Sequence, residues 1–183
     1  GERNTEYEEL HILKPGITWS PDGKKVAFAA KSGKSDALFI IDLKTNKSKK
    51  YRLGMEGIFR PSWRPGHQQI AFIGNNGQYS DIYLYDLNSE TLQNLTEDWF
   101  SDDQISWHPD GNSIFFISDR RDVLTTGNTK KPKLHSVEQS DLYTLNLSSN
   151  LIKRLTDTSH NETYPCISSD GKTLAYISDE SGI

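Results

Sequence analysis

Five histidines, one cysteine and a few clusters of carboxylates are the residues whose types could do chemistry here. A protein metal site needs ligands at short, regular spacings. His11, His67, His108, His135 and His160 form neither an H-x-x-x-H nor an H-E-x-x-H pair. A hydrolase serine needs a G-x-S-x-G elbow, and the sequence has none. Ser168-Ser169-Asp170-Gly171 is turn chemistry instead. Gly74-Asn75-Asn76-Gly77 reads as a turn and not as a phosphate loop, and Asp119-Arg120-Arg121-Asp122 lacks calcium-loop spacing. The expectation is no catalytic residue, no metal and no cofactor. Cys166 cannot form an internal disulfide, and its apolar neighbours predict a small buried side chain.

What remains is chemistry of recognition. Phe59, Trp99 and Phe100 are large aromatics in stretches that otherwise read as connections, next to Arg60, Asp102 and Asp103. Exposed aromatics beside charges make interface hot spots. The competing reading is that these rings cap the ends of strands. Glu97, Asp98, Asp102 and Asp103 supply oxygens of the kind Ca²⁺ takes, but an acidic, solvated loop needs no ion. Arg120, Arg121, Lys130, Lys131 and Lys133 make one segment basic, suited to lie across the acidic loops, to recruit an acidic partner, or simply to stay solvated. The partner-binding candidates are therefore Phe59, Arg60, Trp99, Phe100, Asp102, Asp103, Arg120 and Arg121.

These residues are positioned by an internal repeat. Ile17-Thr18-Trp19-Ser20-Pro21-Asp22-Gly23-Lys24 returns as Pro61-Ser62-Trp63-Arg64-Pro65-Gly66-His67-Gln68 and as Ile105-Ser106-Trp107-His108-Pro109-Asp110-Gly111-Asn112. A weaker copy is Pro165-Cys166-Ile167-Ser168-Ser169-Asp170-Gly171-Lys172. The three tryptophans are 44 residues apart. The fourth copy follows 60 residues after Trp107, an excess of 16 that falls between Arg120 and Ser140. Each unit reads as four strands, A to D: the Trp strand, an apolar run such as Ile70-Ala71-Phe72-Ile73, an Asp-led run such as Asp81-Ile82-Tyr83-Leu84-Tyr85-Asp86, and a polar strand ending in Leu-Thr. Strand B is apolar at consecutive positions, which requires both faces to be buried. Pro-Asp-Gly closes the A–B hairpin, and Trp19, Trp63 and Trp107 are expected as repeated packing residues. Asp22, Gly23, Asp110, Gly111, Asp170 and Gly171 are expected to be structural parts of the repeat.

The predicted fold is all-β: a partial β-propeller of about three and a half four-stranded blades. Residues 1–15 form an N-terminal extended strand, expected as the outer strand of a preceding blade. Blade 1 is 16–57, blade 2 is 58–100, blade 3 is 101–160 with insertion 120–140, and 161–183 begins blade 4. The D–A and B–C connections then share one face at the channel mouth. A formal charge of −4 disfavours generic nucleic-acid binding, and no apolar run is long enough to span a membrane.

The W-S-P-D-G-K, apolar strand, D-I-Y and L-T series resembles the TolB-type propeller repeat, also called the WD40-like or PD40 repeat, from about residue 16 to 183. The departures are the Arg-Pro-Gly turn, Ile167 in place of Trp, and the insertion. The resemblance implies a non-catalytic, periplasmic or secreted bacterial scaffold that binds a protein partner at the channel mouth. It also admits a gating propeller of a prolyl-oligopeptidase-type serine peptidase whose catalytic domain lies outside this chain. Blades left open at either end lead us to expect a longer propeller or self-association that completes the ring.

Overall fold

The computed structural model describes residues 16–75, 79–127 and 139–180, together with the backbone of Glu9–Leu10. Every element among them is a strand, and no helix there is long and apolar enough to cross a membrane. The chain divides into two compact units. One holds residues 1–78 and 83–93; the other holds 79–82 and 94–183.

In the first unit, β1 (Glu9–Leu10), β2 (Ile17–Trp19), β3 (Lys25–Ser32), β4 (Ser35–Asp42) and β5 (Ser48–Tyr51) form one antiparallel sheet. β1 and β2 both pair with β3, through Glu9↔Lys31 and Ile17↔Phe28. Of the expected N-terminal strand, Glu9–Leu10 thus pair with the first sheet; the rest of residues 1–15 lies outside the described residues. β2 spans only three residues against an eight-residue β3, so part of that edge is left for β1. The next sheet has the order β6 (Gly57–Trp63), β7 (Gln69–Asn75), β8 (Ser80–Asp86) and β9 (Thr91–Asn94). The unit border runs through β8 and before Asn94. Ala27, Leu38 and Ile40 of the first sheet pack against Trp63, Ile70, Phe72, Tyr83 and Tyr85 of the second. Trp63 is 5% exposed and its indole N–H donates to the His67 carbonyl at 2.9 Å. Trp19 stands at the same repeat position but is 60% exposed, because among the described residues no further sheet covers its ring.

The second unit contains a sheet of β10 (Asp102–Trp107), β11 (Ser113–Ser118), β12 (Asp141–Asn146) and β13 (Leu151–Arg154), and a pair of β14 (Glu162–Ile167) with β15 (Leu174–Ser178). Three strand-A, -B, -C, -D sets and a further A–B pair are thus formed, a partial propeller. Consecutive burial in β7 and in the middle of β3 bears out the two-sided packing of strand B. Cys166, expected to be buried, is exposed, because β14 and β15 form a sheet of only two strands.

The A–B turns follow from their residues. The Gly23 N–H donates to the Ser20 carbonyl at 2.9 Å with φ +67°, and the Ser20 hydroxyl and Lys24 N–H both donate to Asp22 Oδ1. Ser168, Asp170, Gly171 and Lys172 repeat this network bond for bond. At the third turn His108 stands in for the serine: its ring lies 2.8 Å from Asp110, and the Gly111 N–H donates to its carbonyl. Arg64-Pro65-Gly66-His67 departs in sequence and instead has the Pro-then-Gly signature of a type II turn, with Gly66 at φ +70°.

Candidate interaction surface

The end of strand B and the start of strand C lie beside a D–A connection, as Asn75 and Asp36 show. In the first unit that connection is short. Met55 is buried, the Glu56 N–H donates to the Asn75 carbonyl, and the Ile58 N–H donates to Asp36 Oδ2 at 2.8 Å. Asp36, which leads strand C, is thus a buried acceptor for the following blade. Phe59 lies within β6, half-buried, with its ring so close to Gly57 that a Cβ there would sit 2.6 Å from it. Arg60 follows, half-buried, with φ +50°.

The second unit carries a longer connection, from Leu95 to Ser101. It begins on Asp81, whose oxygens accept from the Asn94 amide at 2.9 Å, the Thr96 hydroxyl at 3.3 Å and the Asp98 N–H at 3.3 Å. The Thr96 hydroxyl in turn accepts the Ile82 N–H, and the Thr156 hydroxyl does the same for Leu142. This is the physical reason for Leu-Thr at the end of strand D. Burial pushes the Asp81 carboxyl above its ordinary range.

The loop is then pinned by Arg120. Its guanidinium is fully buried and donates to Asp98 at 3.1 Å, to Asp102 at 2.5 Å and to the Ser118 hydroxyl at 3.0 Å. The rings of Phe116, Phe100 and Tyr143 surround it at 5.1, 5.7 and 5.8 Å. The Phe100 N–H donates to Asp98 and the Ser101 N–H to Asp119. Two carboxylates against one cation leave a surplus negative charge away from water. Burial, together with Asp102, lifts the Asp98 carboxyl to about 7.

The sequence candidates therefore separate by depth. Phe100, Asp102 and Arg120 are interior and position the loop. The physical reason is that one guanidinium, inside a ring of aromatics, draws both carboxylates inward. Asp98 and Asp102 face this guanidinium, and among the described residues no group of acidic, His or Cys side chains is placed to hold a metal. Trp99 stays half-exposed, its ring edge-on to Tyr79 at 5.1 Å. Asp103 is half-buried, and Arg121 is exposed at φ +51°. Trp99, Asp103 and Arg121 come from the same unit as the Arg120 knot; Phe59 and Arg60 belong to the other. Lys130, Lys131 and Lys133 lie outside the described residues.

Sequence reasoning missed a repeated bulge. In β6, β10 and β14 the register shifts directly after Phe59, Asp103 and Thr163. The residue that follows each, Arg60, Gln104 or Tyr164, has φ of 50°, 54° and 52°. Non-glycine residues rarely take this conformation, and bulges re-aim side chains. Within the first unit the Trp63 N–H donates to the Thr18 hydroxyl, so β2 and β6 lie side by side. Within the second the Tyr164 N–H donates to the Gln104 side chain, linking β10 and β14. The bulges thus sit where neighbouring A strands meet. The one sequence signal is Gly16 in the same repeat column, where a Cβ would come within 2.6 Å of the Arg60 Cα.

Comparison with known proteins gives a consistent picture. The family described as PD40, TolB beta propeller domain, matches residues 5–123. TolB from Acinetobacter baumannii is similar in structure, with a TM-score of 0.69 and 25% identity over 92% of this chain and 38% of that one. The tricorn protease reaches a TM-score of 0.66 at 17% identity, over 88% of this chain and 15% of that one. One of two prolyl endopeptidases studied for inter-domain dynamics reaches 0.62 at 16%, over 91% and 25%. The chain thus spans well under half the length of each. No curated protein matches it by sequence.

Proposed function

Since the chain belongs to the TolB β-propeller domain family, we propose that it is a non-catalytic scaffold for protein–protein interaction in the periplasm or outside a bacterial cell. Its partner docks on the D–A and B–C connections. The observation that carries this reading is the contrast between Trp99 and its neighbours. Asp98, Phe100 and Asp102 are buried around Arg120, while the Trp99 ring remains at the surface. A large aromatic held on a fixed loop contributes contact area without the entropy of ordering a mobile one. Asp103 and Arg121 add charge within the same unit.

The test immobilises the chain and its Trp99→Ala and Phe59→Ala variants and exposes each to an envelope protein fraction. A protein retained by the parent chain should be lost, by about tenfold or more in affinity, from Trp99→Ala. Undiminished binding by both variants would place the contact elsewhere.

The alternative is a gating propeller segment of a prolyl-oligopeptidase-type peptidase. The likeness to the tricorn protease and a prolyl endopeptidase favours it as to fold alone. A G-x-S-x-G elbow downstream in the parent reading frame would decide for it.

A further inference from the structure

We propose that Asp98 is a proton-operated latch: the loop that carries Trp99 stays pinned to Arg120 while Asp98 holds a proton, and is released when Asp98 ionises. The consequence for binding rests on the reading that a partner docks at Trp99; the latch itself needs only this chain. Its parts are one proton short. The side chains of Asp98, Asp102 and Arg120 are all sealed from water. The three guanidinium nitrogens go to Ser118, Asp98 and Asp102. Asp98 Oδ1 accepts the Phe100 N–H and its Oδ2 accepts from Arg120. Asp102 Oδ1 accepts from Arg120, but Asp102 Oδ2 is buried and has no donor among the described residues. A buried acceptor without a donor is unfavourable, and so is a second carboxylate charge beside one cation. A bound proton removes the surplus charge and adds a donor to a cluster that lacks one.

Among the described residues, the groups around Asp98 bring no second cation to it. From β8, Asp81 accepts the Asp98 N–H and adds negative charge. From β10 comes Asp102. Beyond β11, beside Arg120, Asp119 accepts the Ser101 N–H. From β12 comes the Tyr143 ring; its hydroxyl donates to the Arg121 carbonyl, and burial pushes it further above the ordinary range, so it stays neutral. Arg154 is held by Asp141, Asp122 and Asp157. Within the loop itself Glu97 is exposed. Burial, with Asp102, accordingly lifts the Asp98 carboxyl to about 7.

The loop is built so that this one carboxyl decides its middle. Both ends have ties that do not involve it. Thr96 donates its hydroxyl to Asp81 and accepts the Gly127 N–H at its carbonyl, and Ser101 is held by Asp119. Residues 98–100 lie between, and the Asp98 carboxyl is their hydrogen bond to Arg120. A released loop puts that carboxyl in water, where it ionises around its ordinary 3.8. The pinned loop binds the proton more tightly. From about pH 4 to 7, each pH unit therefore shifts the balance about tenfold toward release, and above that the shift is complete.

Fluorine NMR of the whole chain labelled with fluorotryptophan tests the latch without a partner. Four tryptophans give four resonances, and Trp99→Phe assigns the relevant one. As pH rises from about 5 to 8.5, the Trp99 resonance should move toward that of free fluorotryptophan in a one-proton transition. Its midpoint should lie at or somewhat below about 7. The Trp63 resonance, from the other unit, should not follow it. Asp98→Asn puts a neutral amide where the protonated carboxyl stood and should hold the pinned position at every pH. Asp102→Asn removes the neighbouring charge and should lower the midpoint by about one pH unit. A Trp99 resonance that stays fixed, that titrates alike in Asp98→Asn, or whose midpoint Asp102→Asn leaves unmoved, would overturn the proposal. The two readings separate cleanly. If the resonance titrates while Trp99→Ala retains partners undiminished, the latch stands and docking at Trp99 fails. A fixed resonance with retention lost in Trp99→Ala does the reverse.

Discussion

Arg120 shows how one residue can change its meaning between sequence and structure. In the sequence it belongs to a basic run; in the fold it is 1% exposed and holds Asp98 and Asp102 together. The two carboxylates are about twenty residues upstream, and no local pattern announces their return. A pH dependence follows from the knot. The Asp98 carboxyl is lifted from 3.8 to about 7, so the folded state binds a proton that the unfolded state has released. Its contribution to stability is full below about pH 4 and is lost as pH rises through 7. Asp81 is shifted in the same direction, also by burial. Asp22, Asp86 and Asp170 are shifted the other way by hydrogen bonds, so their stabilisation is lost only as the solution becomes strongly acidic. Between about pH 5 and 8 the urea midpoint should therefore fall, and Asp98→Asn should flatten that slope. A midpoint that rises over this range would show that both carboxylates ionise against Arg120 without strain.

At the scale of elements, the turns were legible and the bulges were not. Ser-Pro-Asp-Gly specifies its own hydrogen bonds within four residues, so Asp22 and Gly23 announce the A–B hairpin wherever they stand. Gly23 is at φ +67° with open space around the position of a Cβ. Gly23→Ala should therefore cost about 1–2 kcal/mol through backbone strain alone, measured by urea denaturation. A cost near zero would mean that the turn relaxes to another type. By contrast, Arg60, Gln104 and Tyr164 have side chains with no preference for the left-handed region, and they adopt it between strand B on one side and a neighbouring A strand on the other. Trp99 and Phe100 illustrate the same limit. Adjacent aromatics in one loop look alike in sequence, yet one is buried against Arg120 and the other stacks edge-on to Tyr79 at the surface.

For the molecule as a whole, the repeat made the fold legible because each blade has the same packing problem. Strand B is buried on both faces only when a neighbouring sheet covers it. The tryptophans measure how far that condition is met. Trp63 and Trp107 are 5% and 7% exposed, but Trp19 is 60% exposed and Ile17 beside it 68%. In the second unit Tyr164, Tyr176 and Ile177 are 58%, 45% and 59% exposed. Each set is an apolar surface of the kind that elsewhere in this chain a sheet covers. Burying a side chain of this size contributes about 1.5–3 kcal/mol, enough in combination to drive association. The chain in isolation is therefore expected to associate with itself. Sedimentation at rising concentration should show a mass above the monomer's 20.8 kDa, and Trp19→Ala should return it toward the monomer while leaving the circular dichroism of the sheets unchanged. If the mass stays monomeric at every concentration, these apolar surfaces are covered within the chain itself or are tolerated in water, and ring completion by a second copy fails as an account of them.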